Sequence, residues 1–489
     1  MTIAVKDLSF AYEGGDYIFR NLSFTLHTEW KTGLIGRNGR GKTTLLNLFL
    51  GSLPYTGVIV KAVEPLYFPF AVRDKRVKTI DLLKSIAVNA DDYQIERELA
   101  LLKAGFATDR EFGTLSFGQQ SKALLAALFL CEDRFLLIDE PTNHLDLEGR
   151  EIVAKYLRKK DGFILVSHDR AFLDTAVDHI MAIDKEQVTI QKGNFSSWFE
   201  NKQLQDEFEI SSNAKLAKEI KRLQSAAKRN SEWSDAIEKT KYHTKISGLK
   251  VDRGYIGHKS AKMMKRSKAL EDRQNSAIAE KSTLLKNIET APKLKINQQE
   301  FHRNIYVSLR DVTIFRRGQP CVEGINFEIE RGERVAIRGK NGSGKSTILQ
   351  LICGEKLAYT GEMDIPSALK ISSVAQDSAF LHGSLNGYAD DRAIDKTLFL
   401  TILRKLDFKR SEFDLDIAIL SEGQKKKVQI AAALSEGANL YIWDEALNYI
   451  DLFSRLQIED LIIEYQPTLL FVEHDRTFCE KVATRIVSI

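Results

Sequence analysis

The chain has 489 residues, of which 43% are hydrophobic and 28% charged, and its formal net charge is +4. This length predicts two or three domains, each large enough to bury a core. The N-terminus lacks the apolar run of a signal peptide, and no stretch approaches about 18 consecutive apolar residues, so we expect a cytoplasmic protein that does not span a membrane. The four cysteines lack metal-type spacing, which agrees with reduced thiols in that compartment.

The first motif in chain order is a glycine-rich loop, GLIGRNGRGKTTLL, at residues 33–46. It matches the pattern G-x-x-x-x-G-K-[ST], in which backbone N–H groups surround phosphates and the lysine binds the β- and γ-phosphates. The Thr43 hydroxyl is then expected to bind Mg²⁺. The predicted phosphate contacts are Gly36, Gly39, Gly41 and Lys42.

An apolar run at residues 135–138 is predicted to form a strand that ends at Asp139 and Glu140. Asp139 can hold Mg²⁺ there, and Glu140 can polarise the water that attacks the γ-phosphate. A lone acidic pair of this kind more often caps a helix. Its position downstream of a glycine-rich loop, in both halves of the chain, favours the nucleotide site.

The middle of the chain is predicted to form a helical hairpin. Gly and Pro are absent from residues 201–247 and 258–291, and three glycines between these stretches mark the bend. Apolar residues recur at helical spacing and predict one seam on each arm, through which the arms pack together. The seam residues are Leu204, Phe208, Leu216, Ile220, Leu223 and Ala227 in the first arm and Met263, Leu270, Ala277 and Leu284 in the second.

Positive charge is concentrated in this hairpin. Residues 201–300 carry 22 Lys and Arg against 13 Asp and Glu, whereas the rest of the chain has an acidic excess. Within the hairpin, Lys215 to Lys268 holds 16 basic and 5 acidic residues. A solvated coiled coil would not need this bias, so the pattern favours contact with a polyanion such as RNA.

The second half of the chain repeats the motifs of the first. Four motifs of the first half, GLIGRNGRGKTTLL, LSFGQQSK, FLLIDEPTNHLD and VSHDRAF, recur in the second half at offsets of 303 to 306 residues. The second copies are, in the same order, AIRGKNGSGKSTIL, LSEGQKKK, YIWDEALNYID and VEHDRTF. Four motifs at a nearly constant offset indicate a tandem duplication. The second set of predicted contacts is Gly339, Gly342, Gly344, Lys345, Ser346, Asp444 and Glu445.

These motifs resemble those of the ATP-binding cassette (ABC) superfamily, and two cassettes joined by a basic helical linker resemble its F class, in particular the Lsa-type antibiotic-resistance branch. The resemblance implies an α/β fold with two P-loop ABC nucleotide-binding domains joined by a long α-helical hairpin linker. The implied domains are residues 1–195, the linker at 196–303 with its tip at about 240–258, and residues 304–489.

The resemblance also implies two ATP sites within one monomer, each formed by the P-loop of one cassette and the signature of the other, with ATP and Mg²⁺ as ligands. The implied catalytic residues are Glu140, Glu445, His168 and His474. The implied Mg²⁺ ligands are Thr43, Asp139, Ser346, Gln376 and Asp444. Further nucleotide contacts are Tyr12, Asn38, Thr44, Ser116, Gly118, Gln119, Phe315, Asn341, Thr347, Gln376, Ser421, Gly423 and Gln424, with Tyr12 and Phe315 stacking on adenine.

The chain departs from the family pattern at four points. Phe70 stands where the first cassette should have a Gln, whereas Gln376 keeps it in the second. The first signature has Phe117 in place of Gly and Gln119 where Glu is common, and Ala446 replaces the Pro after Glu445. Tolerated drift and functionally unequal ATP sites are both open explanations.

Basic residues and flat rings alternate around the predicted bend, a mixture suited to structured RNA. F-class proteins bind the ribosomal exit site and reach toward the peptidyl-transferase centre, so the resemblance implies the bacterial 70S ribosome and peptidyl-site tRNA as partners. The linker would dislodge lincosamides, pleuromutilins and streptogramin A. The expected RNA contacts are Lys241, Tyr242, His243, Lys245, Lys250, Val251, Arg253, Lys262, Lys265, Arg266 and Lys268.

Three other functions fit parts of the pattern. A housekeeping F-class translation factor needs the same ATPase and RNA-binding parts. The ATPase subunit of a membrane transporter would not need the basic linker. A genome-maintenance ATPase would have a much longer hairpin or zinc-binding cysteines, and the sequence shows neither.

Overall fold

The computed structural model describes residues 1–131, 133–143, 145–184, 187–243 and 292–489, and single positions at 262, 265, 268, 269, 272, 273 and 276; the side chains of 226–243 fall outside it. The chain divides into two units. Met1–Trp198 and Ala291–Ile489 form the first, and Phe199–Thr290 the second. The predicted α/β fold with two P-loop domains is confirmed, and both domains lie in the first unit.

Residues 1–192, here called cassette 1, alternate strands and helices around two sheets. Its elements are β1 (Thr2–Ala11), β2 (Tyr17–His27), β3 (Lys31–Ile35), α1 (Lys42–Leu50), β4 (Thr56–Lys61), β5 (Glu64–Phe68), α2 (Thr79–Ile86), α3 (Asp92–Leu101), α4 (Phe117–Leu128), β6 (Arg134–Asp139), α5 (Leu147–Arg158), β7 (Phe163–Val166), α6 (Arg170–Ala176), β8 (His179–Ile183) and β9 (Val188–Lys192).

The larger sheet of cassette 1 has the strand order β5-β6-β7-β3-β8-β9, and all neighbours are parallel except β8 and β9. Its central strands β6 and β7 are continuous apolar runs because both faces of a parallel sheet are covered. β2, β1 and β4 form a separate antiparallel sheet. The parallel strands β3 and β6 therefore present their carboxyl ends, where the P-loop and Asp139 follow, at the same edge.

Residues 305–489, here called cassette 2, repeat this arrangement of strands and helices. Its sheets have the orders β14-β15-β16-β12-β17, all parallel, and β11-β10-β13, antiparallel. Its elements are β10 (Ile305–Arg316), β11 (Gln319–Glu330), β12 (Arg334–Arg338), α8 (Lys345–Ile352), β13 (Ala358–Asp364), β14 (Ile371–Val374), α9 (Leu385–Asp391), α10 (Lys396–Lys405), α11 (Glu422–Ser435), β15 (Leu440–Asp444), α12 (Leu452–Tyr465), β16 (Leu469–Val472), α13 (Arg476–Val482) and β17 (Arg485–Ser488).

The first linker arm is one helix of 49 residues, Phe195–His243. The described positions of the predicted second arm, between 262 and 276, are also helical, and the predicted bend lies outside the described residues. The predicted seam is wrong at its start, where Leu204 and Phe208 are 65% and 73% exposed. Helical spacing places residues on one face, but it does not show whether anything covers that face.

The two cassettes meet through charged side chains that are almost fully buried. Arg170, at the start of α6, pairs with Glu459 of α12, and its Nη2 lies 3.9 Å from Asp475 Oδ2. Lys481 Nζ adds a contact of 2.9 Å to Glu459 Oε1. The equivalent arginine of cassette 2, Arg476, is 55% exposed and pairs with Glu151 at 3.3 Å. The contact is therefore buried on one side of the interface and solvated on the other.

Replacing Glu459 by Gln should destabilise the protein by about 3 kcal/mol, because it leaves the buried Arg170 guanidinium without the carboxylate to which it hydrogen-bonds. The measurement is the free energy of unfolding from urea denaturation. Glu480→Gln is the matched control, since it removes an exposed partner of Arg476 at 2.7 Å and should cost about 0.5 kcal/mol or less. Equal losses in the two variants would show that the buried pair does not hold the interface.

Candidate functional site

Each P-loop connects a central strand to a helix and needs glycine for its shape. Gly41 and Gly344 have φ values of 91° and 89°, in the left-handed region. A Cβ at Gly41 would lie 2.5 Å from Ile18, and one at Gly344 would lie 2.1 Å from Val322. The α1 and α8 helices begin at the next residue, so their N-terminal dipoles face the loops and favour anions.

The P-loop lysines lie inside their own loops. Lys42 Nζ donates to Gly36 O at 2.8 Å and to Arg37 O at 3.2 Å. Lys345 Nζ donates to the carbonyl oxygens of Gly339 and Lys340, both at 2.9 Å. Burial lowers the pKa of both lysines although neighbouring carboxylates oppose the shift. Each ammonium is thus buried where an anionic triphosphate would neutralise it.

A carboxylate and a hydroxyl meet at the expected Mg²⁺ position of each cassette. Thr43 Oγ1 lies 3.4 Å from Asp139 Oδ2, and the Ser346 hydroxyl hydrogen-bonds Asp444. Burial raises the pKa of both aspartates. Within the described part of the chain, Asp444 Oδ1 is buried without a hydrogen-bond partner. Hard oxygen ligands with an unfilled contact fit Mg²⁺, which usually takes one or two carboxylates together with substrate phosphates.

Tyr67 is a residue of this site that the sequence reasoning missed. Its hydroxyl donates to Asp139 Oδ2 at 2.9 Å from the end of strand β5, and burial followed by the Asp139 charge raises its pKa. β5 and β6 are paired in parallel with Tyr67 opposite Leu137, which brings Tyr67 to this edge of the sheet. Only the pairing of the two strands reveals the contact, because no local motif contains both residues.

Glu445, the predicted catalytic carboxylate of cassette 2, has three polar contacts. Gln376 Nε2 donates to its Oε2 at 3.0 Å and Asn448 Nδ2 donates to the same atom at 2.7 Å. His474 Nε2 lies 3.2 Å from Oε1. The predicted Mg²⁺ ligand Gln376 therefore hydrogen-bonds the predicted catalytic carboxylate in this structure.

The equivalent Glu140 of cassette 1 is held more loosely. Its Oε1 lies 3.4 Å from His168 Nε2 and forms no hydrogen bond within the described residues. Phe70, which replaces the Gln, offers no donor to it. The two catalytic carboxylates therefore have different surroundings.

The pKa values of the two glutamates diverge accordingly. Burial, followed by the charge of Asp139, raises the pKa of Glu140 to about 8. Burial acts in the same direction on Glu445, but hydrogen bonds from His474 and Gln376 outweigh it and lower the pKa to about 2. Burial also lowers the pKa of His168 well below its usual value. At neutral pH, Glu445 is an anion that can accept a proton, whereas burial and the Asp139 charge favour the protonated form of Glu140.

Both glutamates adopt a backbone conformation that is rare for non-glycine residues. Their φ values are 49° and 47°. Each backbone N–H donates at 2.9 Å to a neighbouring strand, Glu140 to Val166 O and Glu445 to Val472 O. These bonds hold the strained turn, which directs both carboxylates out of the sheet edge.

The signature motifs form helix N-caps. Ser116 and Ser421 cap α4 and α11, and their side chains accept hydrogen bonds from the backbone N–H groups of Gln119 and Gln424 at 3.3 and 3.4 Å. Each glutamine returns a bond by accepting from the serine N–H, at 3.0 and 2.8 Å. Gln119 thus performs the reciprocal half of a capping box, for which Gln serves as well as Glu.

Each P-loop faces the signature of the other cassette. Asn38 Nδ2 donates to Tyr449 O of cassette 2 at 3.0 Å, and a Cβ on Gly423 would lie 3.0 Å from the same nitrogen. On the other side, a cavity of about 760 Å³ lies between the cassettes, large enough for a nucleotide. Its lining includes Ser116, Gly118, Gln119, Asn341, Gly342, Gly344, Lys345, Ser346, Thr347, Gln376, Glu445 and His474.

The predicted adenine contacts differ between the cassettes. The Tyr12 hydroxyl lies 3.3 Å from Thr44 Oγ1, above the first turn of α1. In cassette 2 it is Arg316 that lines the cavity, and Phe315 is absent from the lining. Adjacent residues of a strand point to opposite faces, so the two side chains cannot share this role. The cavity lining does not include Phe315, and its contact with the base stays a prediction.

The predicted RNA contacts lie in the second unit. Lys262, Lys265 and Lys268 are helical and exposed. Lys241, Tyr242 and His243 end the first arm helix, and their side chains are not described. The predicted contacts Lys245, Lys250, Val251, Arg253 and Arg266 lie outside the described residues. None of the described helices is long and apolar enough to cross a membrane.

Comparisons with known proteins agree with this geometry. The family model described as "ABC transporter" matches residues 19–143 and 322–448. The ribosome protection protein VmlR of Bacillus subtilis is 30% identical over 96% of this chain and 84% of its own length. ABC transporter F family member 5 of Arabidopsis thaliana is 25% identical over the whole chain and 75% of its own length.

Solved structures show the same fold. The archaeal ribosome recycling factor aABCE1, in complex with the ribosomal stalk protein aP1, aligns with a TM-score of 0.65 and 20% identity over 99% of this chain and 87% of its own. The family assignment rests on three findings. The family model matches the chain twice, a 30% identical relative spans both cassettes and the linker, and each P-loop faces the signature of the other cassette. The chain belongs to the F family of ATP-binding cassette proteins, and it is an ATPase.

Proposed function

We propose that this ATPase binds the bacterial 70S ribosome at the tRNA exit site, next to peptidyl-site tRNA, and uses its linker to dislodge antibiotics from the peptidyl-transferase centre. The drugs would be lincosamides, pleuromutilins and streptogramin A. The observation that carries the proposal is the excess of basic residues between Lys215 and Lys268, 16 against 5 acidic, in a linker placed between two ATP-binding cassettes. The similarity to a ribosome protection protein along 96% of the chain supports it.

In the proposed hydrolysis step, each predicted site residue has one role. Lys345 and the amides of its loop hold the triphosphate, and Glu445 accepts a proton from the attacking water. The water oxygen bonds to the γ-phosphorus as the bond to the β–γ bridging oxygen breaks, which yields ADP and phosphate. Lys42 and Glu140 occupy the same positions in site one. Mg²⁺, held by Asp139 with Thr43 and by Asp444 with Ser346, would neutralise the phosphate charge.

The base of the linker touches the first nucleotide site. The Arg37 guanidinium, in the P-loop of cassette 1, lies 5.6 Å from the ring centroid of Phe453 on α12. That ring meets Trp198, in the first turn of the arm helix, edge-on at 6.2 Å. Trp198 and Phe195 are 5% and 3% exposed. A change in how the cassettes meet would therefore be transmitted to the start of the arm.

The same proposal includes the oligomeric state and the compartment of the protein. It acts as a monomer in the cytoplasm, because translating ribosomes are there and both ATP sites form within one chain. Lysine and arginine in the arms neutralise RNA phosphates without reading sequence. The residues around the bend act on the drug pocket and the tRNA end. A housekeeping translation factor with the same parts is the alternative, and drug susceptibility separates the two.

The two ATP sites should respond unequally to loss of the catalytic glutamate. Glu445→Gln should lower the steady-state ATPase rate by at least about 100-fold, because it removes the ionised base. Glu140→Gln should lower it by about threefold or less, since burial already favours the protonated form of this carboxyl and Phe70 supplies no hydrogen-bond donor to it. The measurement is phosphate release at saturating ATP and neutral pH. Equal losses would show that the sites work alike.

Ribosome binding tests the proposed partner. The double variant Glu140→Gln/Glu445→Gln should pellet with 70S ribosomes in the presence of ATP and Mg²⁺ and remain in the supernatant without nucleotide. Charge reversal of Lys262, Lys265 and Lys268 should weaken this binding about tenfold or more and flatten its salt dependence. Reversal of three exposed residues on cassette 1, Lys155, Arg158 and Lys159, is the matched control. Absence of ATP-dependent pelleting would contradict the proposal.

Drug susceptibility tests the proposed outcome. Cells that express the wild type should survive higher lincosamide concentrations than cells with an empty vector. Replacement of residues 247–254 by a short Gly/Ser turn should abolish this protection and leave ATPase activity within about twofold. Ribosome binding without any change in susceptibility would favour the housekeeping role.

A further inference from the structure

Arg316 occupies the position in cassette 2 that Tyr12 occupies in cassette 1. The two antiparallel sheets match residue by residue: Asp7 and Asp311 have φ values of 51° and 50°. Each aspartate closely faces a glycine of the paired strand, Gly57 or Gly361, where an added Cβ would lie 2.5 or 2.3 Å from its carbonyl oxygen.

Pairing fixes the register up to the end of the strand. Phe10 pairs with Phe19 in cassette 1, and Ile314 pairs with Val322 in cassette 2. Phe19 and Val322 are the side chains against which the P-loop glycines Gly41 and Gly344 pack. Two residues beyond Phe10 is Tyr12, and two beyond Ile314 is Arg316.

The turns that follow explain why the sequence hides this equivalence. In cassette 2, Arg316 pairs directly with Gln319, so the hairpin turn contains two residues, both with positive φ, as in a type I′ turn. In cassette 1, Ala11 pairs with Tyr17, and a five-residue loop begins at Tyr12. The tight turn fixes the backbone of Arg316 at the rim of the cavity.

The Arg316 side chain is held as Tyr12 is held. Its Nη2 donates to Gln350 Oε1 at 2.7 Å, and Gln350 lies on α8, the helix that follows the P-loop. Tyr12 is tied to Thr44 on the equivalent helix α1. Arg316 lines the same cavity as Lys345 and Thr347, so its side chain is within reach of a nucleotide bound at the phosphate loop.

We propose that Arg316 is the base-contacting residue of the second ATP site, where its guanidinium plane stacks on the purine in place of an aromatic ring. Guanidinium groups stack on flat π-systems, and such a contact is made to the base and not to the phosphates. The inference rests on ATP binding between P-loop 2 and signature 1. It makes Arg316 a nucleotide-binding residue and leaves Phe315 a structural residue of the strand.

The opposing explanation is that Arg316 neutralises the triphosphate as a point charge. The two roles differ in the part of the ligand that they need. A base contact matters for ATP and not for inorganic tripolyphosphate, whereas a charge contact matters for both. They also differ in the replacement that restores binding, because tyrosine supplies a stacking surface and lysine supplies a charge.

The experiment uses the full chain with Lys42→Ala, which confines tight triphosphate binding to the second site. Dissociation constants for Mg²⁺–ATP and for Mg²⁺–tripolyphosphate are measured by calorimetry in four variants of this parent: Arg316→Ala, Arg316→Tyr, Arg316→Lys and Arg317→Ala. Arg317 is the matched control because it is the exposed neighbour in the turn and does not line the cavity.

Arg316→Ala should weaken ATP binding about tenfold and change tripolyphosphate binding less than about twofold. Arg316→Tyr should restore the dissociation constant for ATP to the parent value. Arg316→Lys should bind ATP as weakly as Arg316→Ala does, and Arg317→Ala should bind ATP as tightly as the parent. Equal weakening of both ligands by Arg316→Ala, or rescue by lysine and not tyrosine, would overturn the base contact. Failure of the Lys42→Ala parent to bind either ligand would instead contradict the second ATP site itself.

Discussion

The contact between the two cassettes is the interaction on which the other features depend. Asn38 of one P-loop donates to Tyr449 O of the opposite cassette at 3.0 Å, and Arg170 is buried against Glu459 across the same interface. Buried charges of this kind are tolerated only when both partners are present. Because each P-loop faces the other cassette's signature, each proposed ATP site would need residues of both cassettes. The separation of the halves would open both sites at once, which is the property that an ATP-driven clamp requires.

The duplication has not preserved equal sites. Site two has Gln376 and Asn448 on its catalytic carboxylate, whereas site one has Phe70 at the Gln position and a Glu140 whose pKa burial raises to about 8. The interface is unequal as well, since Arg170 is buried and its counterpart Arg476 is exposed. A clamp with one fast and one slow site can remain closed after one hydrolysis event. Such a state would give the linker time to act before the cassettes separate.

The sequence predicted the motifs well because their chemistry is local. A P-loop carries its glycines, its lysine and its helix start within ten residues, so Gly41 and Lys42 can be placed without any tertiary information. The predicted signatures also lie where each faces the opposite P-loop. What the sequence does not show depends on distant pairing. Phe315 was chosen for the base contact without knowledge of the two-residue turn of the second hairpin, in which Arg316 pairs with Gln319 and on which the proposal for Arg316 rests.

Other features had no sequence signal at all. Tyr67 reaches Asp139 only because β5 pairs with β6, and the Arg170–Glu459 pair depends on how the cassettes meet. In the seam of the first arm, by contrast, the sequence signal was present but the predicted burial of the first two residues was wrong. Leu204 and Phe208 have the right spacing, yet the structure leaves both exposed.

The number of ATP molecules bound by paired variants tests the composite sites most directly. Ser116→Asp and Ser421→Asp keep a favourable N-cap residue at the start of each signature helix but place a negative charge there that would repel phosphate. Lys42→Ala with Ser421→Asp damages one site twice and should still bind one ATP per chain in equilibrium dialysis. Lys42→Ala with Ser116→Asp damages both sites and should bind none. The reverse pattern would show that each cassette binds ATP by itself and would contradict this account.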